Sequence, residues 1–316
     1  MSPSLTSVVR RLRFHQLELL KVIAERGTLT AAADDLHISV AAASKSLAEV
    51  ELLFGQTLFH RSVKGLRPTL DGARVLMHVR LLLNELQHML DGLGSSRHAP
   101  ASRLRLGMPP YIMETVGPGL LKTLLDRLGP GVSYAIAPGN WLRMLIEELL
   151  EGELDAVITL YSQPAVEELD LSRLVIDDLR DEPMVVVAPA AMAQGLADAP
   201  SWRDVAGMPW IMPPGQTHTR RTIDEAFSVA GCPLPRPTVE CPGLLASMSL
   251  AVAGVGLAVA PLSAARAEIA AGRLAALRSL QLPATRLVLV HRPVAMMSLP
   301  ALMEAREVLL EVFGDA

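Results

Sequence analysis

The sequence predicts an α/β protein with an all-α N-terminal head, on three observations. Up to about residue 94 the apolar residues recur at helical spacing. From residue 102 short apolar runs alternate with helical stretches, the pattern of an α/β body. Between the two lies Gly94-Ser95-Ser96-Arg97-His98-Ala99-Pro100, whose composition reads as a flexible hinge.

The head comes first. Residues 1–10 read as a loose leader. Leu17, Leu20 and Ile23 then space an apolar stripe along a first helix, which Gly27 ends. Thr28 or Thr30 is placed to cap a short second helix, and its Ala31, Ala32 and Ala33 are small enough for a close helix crossing. His37-Ile38-Ser39 is a turn, and Ser39 suits the N-cap of a third helix. On that helix Ala43, Leu47, Val50 and Phe54 fall on one buried face. The opposite face carries Val40, Ala41, Ser44, Lys45 and Ala48, small and slightly basic, suited to a major groove.

A three-helix pattern alone also fits a small bundle with no DNA role. The stretch behind it separates the two readings. In Leu58–Thr69 the cations Arg61, Lys64 and Arg67 recur every three residues around Gly65, as in a wing that meets phosphate while the helix reads bases. Thr69 is a candidate N-cap for one long helix to about Gly92 or Gly94, on which Leu76, Val79, Leu83, Leu86, Leu90 and Leu93 step by threes and fours. With nothing else in the linker to bury it, that stripe calls for a partner helix from a second subunit.

The stretch Phe14–Gly72 resembles the DNA-binding domain of LysR-type transcriptional regulators. The matching features are Gly27-Thr28, Ala31-Ala32, Leu36-His37-Ile38-Ser39, Ser44-Lys45, Leu47, Glu51, Leu58-Phe59-His60-Arg61, Thr69 and Gly72. The resemblance covers nearly the whole chain. It implies a DNA-binding set of Thr30, Val40, Ala41, Ser44, Lys45, Arg61, Lys64 and Arg67, and a dimerising linker helix through Leu76, Val79, Leu83, Leu86 and Leu90. The family usually carries Gln then Pro where this chain has Val40 and Ala41. Losing the Gln amide removes a bidentate partner for adenine, while valine suits a thymine methyl.

The body runs as alternating elements. Strand Leu104–Gly107, the loop Met108–Tyr111, a helix through Leu120, Leu124 and Leu128, strand Val132–Ile136, helix Trp141–Leu150 and strand Leu154–Ile158 make βαβαβ, an open parallel sheet. A second round has strand Met184–Val187, a turn at Trp202–Val205, strand Trp210–Met212, helix Thr219–Ala230, strand Thr238–Glu240, helix Leu244–Ala253 and strand Gly256–Ala260. The chain returns through strand Arg286–His291 and a last helix, Pro300–Val312. Two such lobes joined by crossing strands make a two-lobed periplasmic-binding-protein-like (type 2) body, and the family resemblance implies the same, with Gly152–Ile158 its most recognisable stretch. The expected division is residues 11–68 for the winged helix-turn-helix, 69–94 for the linker helix and 102–316 for the effector domain. Within that domain lobe 1 covers about 102–178 and 283–316, and lobe 2 about 179–282.

Bulk properties narrow the function. The chain has 316 residues, half of them apolar, yet no run of eighteen apolar residues, so no membrane span is expected. Arg10, Arg11 and Arg13 precede no apolar stretch of signal-peptide type, which points to the cytoplasm. The formal net charge of −4 argues against a general nucleic-acid coat, but residues 1–97 hold 12 Lys and Arg against 9 Asp and Glu. The rest holds 17 against 24, so a basic head stands on an acidic body. Cys232 and Cys241 match no common metal spacing and read as buried or pocket-lining thiols.

No catalytic set and no phosphate loop is present, and Gly254-Val255-Gly256 reads as a tight helix-to-strand turn. The expectation is no enzyme, no cofactor and no metal. A binding cleft remains, since ligands of doubly wound sheets sit beyond the carboxyl ends of the strands. Three loops qualify: Pro109-Pro110-Tyr111, Gly215-Gln216-Thr217 and Cys241-Pro242-Gly243. The first two lead into helices whose free amides favour an anion, and Thr217 adds a hydroxyl expected to carry the polar recognition. The resemblance supports these places, although Pro109 and Cys241 stand where Ser or Thr is frequent, which favours a less polar ligand. The reading is a transcriptional regulator that binds a double-stranded operator as a dimer or a tetramer. A small organic effector changes its grip, and RNA polymerase is a further partner. The runner-up is a cytoplasmic solute-binding protein of the same two-lobed fold, which the winged head disfavours.

Overall fold

The computed structural model describes residues 4–62, 65–93, 102–138, 142–161, 172–215, 217–283 and 285–313. By contact the chain divides into two units: Met1–Arg103 with Ile146–Leu154, and Leu104–Leu145 with Asp155–Ala316. The hinge assigned to residues 94–100 lies outside the described residues.

In the first unit the leader is not loose. Ser4 caps a short helix α1 (Leu5–Arg11), because its hydroxyl accepts from the Ser7 amide. Helix α2 (Phe14–Arg26) ends at Gly27, whose φ of 73° closes the helix in the left-handed region. Of the two candidate caps it is Thr28 that starts α3 (Leu29–Asp35), accepting from Ala31 N at 3.2 Å. Ser39 starts α4 (Val40–Phe54) in the same way, accepting from Ala42 N at 3.1 Å. Ala32, Ala33 and Ala43 are fully buried with Leu17, Leu20, Ile23, Leu47 and Val50 in one core. Their small side chains let the three helices approach closely, and each buried leucine contributes about 2 kcal/mol relative to exposure.

The strands β1 (Phe59–Ser62) and β2 (Gly65–Pro68) form the expected wing, paired antiparallel. Two contacts seat it. Glu51 of α4 accepts from the amides of Leu58 and Phe59 at 2.7 and 3.1 Å. At the other end Leu66 N donates to Gly27 O at 2.6 Å, and a Cβ on Gly65 would stand 2.3 Å from that carbonyl, so the position admits only glycine. Thr69 caps α5 (Leu70–Leu93), accepting from Gly72 N at 2.9 Å while donating to Thr57 O at 2.7 Å.

The apolar stripe of α5 is not one seam. Leu76 and Val79, expected to meet a partner subunit, are 6% and 2% exposed inside the head core, and Leu83 packs against that core. The first turns of α5 pack on α2. Farther along the same stripe, beyond the head core, Leu86 is half-buried and Leu90 exposed, with Leu82 and Met89 exposed beside them.

The second unit opens with β3 (Ser102–Met108), the short α6 (Pro110–Thr115), α7 (Gly117–Leu128), β4 (Val132–Pro138), α8 (Leu142–Leu150) and β5 (Ala156–Tyr161). Then come β6 (Val175–Asp181), β7 (Met184–Pro189), α9 (Ala190–Ala193), α10 (Trp202–Val205), β8 (Trp210–Met212), α11 (His218–Val229), β9 (Pro237–Glu240) and α12 (Leu244–Val252). The chain closes with β10 (Ala258–Pro261), α13 (Leu262–Ala270), β11 (Leu274–Ala276), β12 (Arg286–His291), α14 (Pro293–Ser298) and α15 (Pro300–Phe313). Trp202–Val205 is thus a helical turn, closed by a capping box of Ser201 and Asp204.

The first lobe is a five-stranded sheet in the order β4-β3-β5-β12-β6. It is mixed rather than parallel: β3 runs parallel to β5, but β12 runs antiparallel to both β5 and β6. The returning strand enters from the far lobe and has no crossover helix to turn it round. The Gly152–Ile158 stretch has a structural reason. Buried Asp155 accepts from Arg105 N at 2.7 Å and pairs with the Arg105 guanidinium at 3.0 Å, locking β5 beside β3. At the other edge Arg306 donates two 2.6 Å hydrogen bonds to Asp177, with His291 Nε2 at 3.0 Å. Burial alone would raise the Asp177 pKa, but Arg306 and His291 outweigh it and hold the carboxylate below its ordinary value. The second lobe has the antiparallel β10-β7-β11 and the parallel β8-β9. Trp210, Phe227 and Trp202 interlock in its core at centroid distances of 4.9 to 6.5 Å.

Candidate functional site

Two surfaces qualify, one in each unit. In the first, α4 buries Ala43, Leu47 and Val50, and that fixes what it shows on the opposite side. Val40, Ala41, Ser44, Lys45 and Ala48 are all exposed there, and Thr30 is exposed on α3. Val40 is 42% exposed beside Ile38 at 41%, an apolar pair at the free end of the helix. Lys45 stands 4.0 Å from Glu49, both well exposed, a pairing that contributes little and leaves the ammonium available.

Arg61 and Arg67 on the wing are exposed and make no hydrogen bond or ion pair with another described residue. The strand register does not put them on one face. His60 faces Arg67 across the hairpin, whereas Arg61 faces Leu66, which turns toward the core. A three-residue recurrence is a helical pattern, and on a hairpin it alternates sides. Lys64 lies outside the described residues.

In the second unit a cleft of about 1070 Å³ opens between the two lobes. The three loops picked from sequence converge on it: Pro109, Pro110 and Tyr111 from the first, Thr217 from the second and Cys241 from the third. Gln216 lies outside the described residues. Tyr111 closes one wall. Its hydroxyl accepts from Leu160 N at 3.3 Å, and burial, only partly offset by hydrogen bonding with Thr159 and Leu160, pushes its pKa up, so the phenol is neutral.

Thr217 does not play the part expected of it. Its hydroxyl caps α11, accepting from Arg220 N at 3.2 Å and donating to Pro214 O at 2.8 Å. Both of its capacities are used within the loop, so it has no donor left for a ligand. The helix after Pro109 is a single six-residue segment with Pro110 in its first turn, which removes one amide from the presumed anion site.

The sequence places the loop Cys241–Gly243 and a helix from Leu244 on this cleft but gives no ligand role to that helix start or to Ser247. Gly243 through Ser247, the beginning of α12, all line the cleft. Gly243 offers no side chain to cap the helix, and Ser247 is only 5% exposed. The available signal is a serine inside an apolar helix, one turn after a glycine cap. Cys232 is buried, and Cys241 lines the cleft with Sγ 3.6 Å from Gly243 O. Among the described residues no group of three His, Cys, Asp or Glu is placed to hold a metal ion.

Comparison with known proteins gives two family matches. Residues 14–73 match the bacterial regulatory helix-turn-helix protein, lysR family, and residues 97–314 match the LysR substrate binding domain. The HTH-type transcriptional regulator BbuR of Bordetella bronchiseptica is 26% identical over 257 residues, covering 80% of this chain and 75% of its own. Full-length LysG from Corynebacterium glutamicum with bound effector Arg has the same fold, with TM-score 0.67 at 18% identity, covering 95% of this chain and 99% of its own. So has full-length CbnR complexed with its target DNA, with TM-score 0.59 at 17% identity, covering 94% and 100%.

Proposed function

The chain belongs to the lysR family of bacterial helix-turn-helix regulatory proteins, and we propose that an effector held in its cleft modulates how it grips an operator. The observation that carries this reading is the joining of two features in one chain. One is an exposed helix face backed by a cationic wing, and the other a roomy cleft between two lobes. Under this reading Val40, Ala41, Ser44 and Lys45 face base edges, Thr30 stands beside them, and Arg61 and Arg67 reach phosphate from the two sides of the wing. The family's structures include one with target DNA and one with a bound effector, which supports both halves of the proposal.

Two copies pair through the exposed part of α5, with Leu82, Leu86, Met89 and Leu90 as the contact stripe in place of Leu76 and Val79. Effector binding changes the lobe arrangement and with it the spacing of the DNA heads. No helix among the described residues is long and apolar enough to cross a membrane.

A gel-shift assay on the DNA upstream of the chain's own gene tests the first half. Wild type should form a discrete complex that survives competitor DNA. Ala41→Glu places a carboxylate on the exposed helix start, which the helix dipole tolerates but the phosphates repel. That variant should keep its melting temperature and lose the complex. Equal binding by both proteins would remove α4 from the interface.

A further inference from the structure

Taking the cleft as an effector site, we propose that its ligand is a monocarboxylate with a large apolar body, and that its carboxylate docks at the start of α12. The site consists of the first amides of the helix and the Ser247 hydroxyl.

The first amides of any α-helix lack an intrahelical acceptor. In α3, α4 and α11 a Thr or Ser at the N-cap supplies one. At α12 the N-cap is Gly243 and no side chain caps the helix, so the amides of Leu244, Leu245 and Ala246 face the cleft that these residues line. The second observation is independent of the helix end. Ser247 lines the same cleft, is 95% buried, and its hydroxyl makes no hydrogen bond with another described residue. Ser249 on the same helix bonds back to Leu245 O at 3.0 Å, and Thr123 on α7 to Gly119 O at 2.9 Å. Ser247 makes no such bond to a described carbonyl, and its donor is left on the cleft wall. Amides and a hydroxyl converging on one point, with no acidic side chain in that segment, fit an oxyanion.

The rest of the ligand is set by the remaining wall. Leu160, Met184, Ile211, Ile223, Val259 and Leu282 line the cleft, and its 1070 Å³ is far more than a small acid fills.

Calorimetric titration of the full-length chain tests this. The probes are 4-phenylbutyrate, octanoate and indole-3-acetate, each beside its primary amide, with acetate as the small acid. At least one of the three acids should bind ten times or more tighter than both its own amide and acetate. Ser247→Ala, favourable in a helix and so not expected to lower the melting temperature, should cut that acid-over-amide preference about tenfold. Thr217→Ser, which keeps the α11 cap, should leave it unchanged. The proposal is overturned if none of the acids binds, if the amides bind as well, or if Ser247→Ala keeps the full preference. The gel shift separates the two readings. A chain that binds its operator but ignores every acid remains a regulator with another ligand class. A chain that binds no operator fails the regulator reading whatever its cleft takes.

Discussion

Helices α11 and α12 both begin on the wall of one cleft, and they dispose of their first amides in opposite ways. At α11 the Thr217 hydroxyl is bound on both sides, to Arg220 N and Pro214 O. At α12 the N-cap is a glycine, and the hydroxyl of Ser247, one turn on, has no hydrogen-bond partner among the described residues. A side chain that completes its own helix is no longer available to a ligand, however well it lines a pocket. The same division runs through the head. Thr28, Ser39 and Thr69 are spent on α3, α4 and α5, whereas Val40, Ser44 and Arg67 are exposed on its surface.

The largest test of this division is on α5, where it separates Leu76 from Leu86. Leu76 is spent in the head core, so Leu76→Ala should cost about 3 kcal/mol of head stability with the oligomer retained. Leu86 lies outside that core on the exposed stripe, and Leu86→Glu should leave the head folded but cost association about 3 kcal/mol or more. Thermal melting and sedimentation at low concentration read the two quantities separately. A Leu86→Glu protein that sediments as wild type would mean that the subunits meet elsewhere.

A smaller effect is expected at the α11 cap. Thr217→Ala removes the acceptor for Arg220 N and should lower stability by about 1 kcal/mol. Affinity for the carboxylate probes should stay within a factor of two. A loss of ligand binding larger than the loss of stability would return Thr217 to the ligand site and break the contrast with Ser247.

What the sequence made legible follows the same line. Caps at Ser39 and Thr69, the buried face Ala43–Leu47–Val50 and the convergence of three loops on a cleft are local or periodic, and a single chain displays them. Who uses a group is not local. The stripe on α5 reads alike whether the head or a second subunit covers it, and only the packed head core decides that Leu76 and Val79 face inward. The antiparallel return of β12 depends on sheet order, which no periodicity encodes. Val175–Asp181, an acidic edge strand, and the short Leu274–Ala276 lack the alternation that marks a strand, so both escaped notice. Ser247 escaped because a serine in an apolar helix looks like a packing residue until its bonding is seen.

The wing should show up chiefly in the salt dependence of binding. Arg67 is exposed beside His60 with no partner among the described residues, as suits a phosphate contact. Arg67→Ala should weaken every DNA sequence alike and reduce the slope of log affinity against log salt by about one unit. Arg61, on the other face of the hairpin, should give an independent and additive reduction. A change in the preferred sequence with either variant would mean that the wing reads bases.

The smallest predicted effect probes the most distinctive residue of the head. Val40 opens α4, 42% exposed, and the first residues of a helix entering a major groove are those that reach base edges. It has no polar atom to offer a base, so its sequence information lies in apolar contact, and the apolar group of the major groove is the thymine methyl. Val40→Ala removes two methyl groups and should cost about 1 kcal/mol on the operator. The fold should be indifferent, since Val40 is outside the head core. Replacing single thymines of the operator by uracil removes the same contact from the other side. One such position should weaken wild type by a similar amount and leave Val40→Ala unaffected, so that the double change costs no more than either single one. If every uracil substitution weakens both proteins equally, Val40 touches no thymine, and the specificity of this head has to come from Ser44, Lys45 or the shape of the DNA.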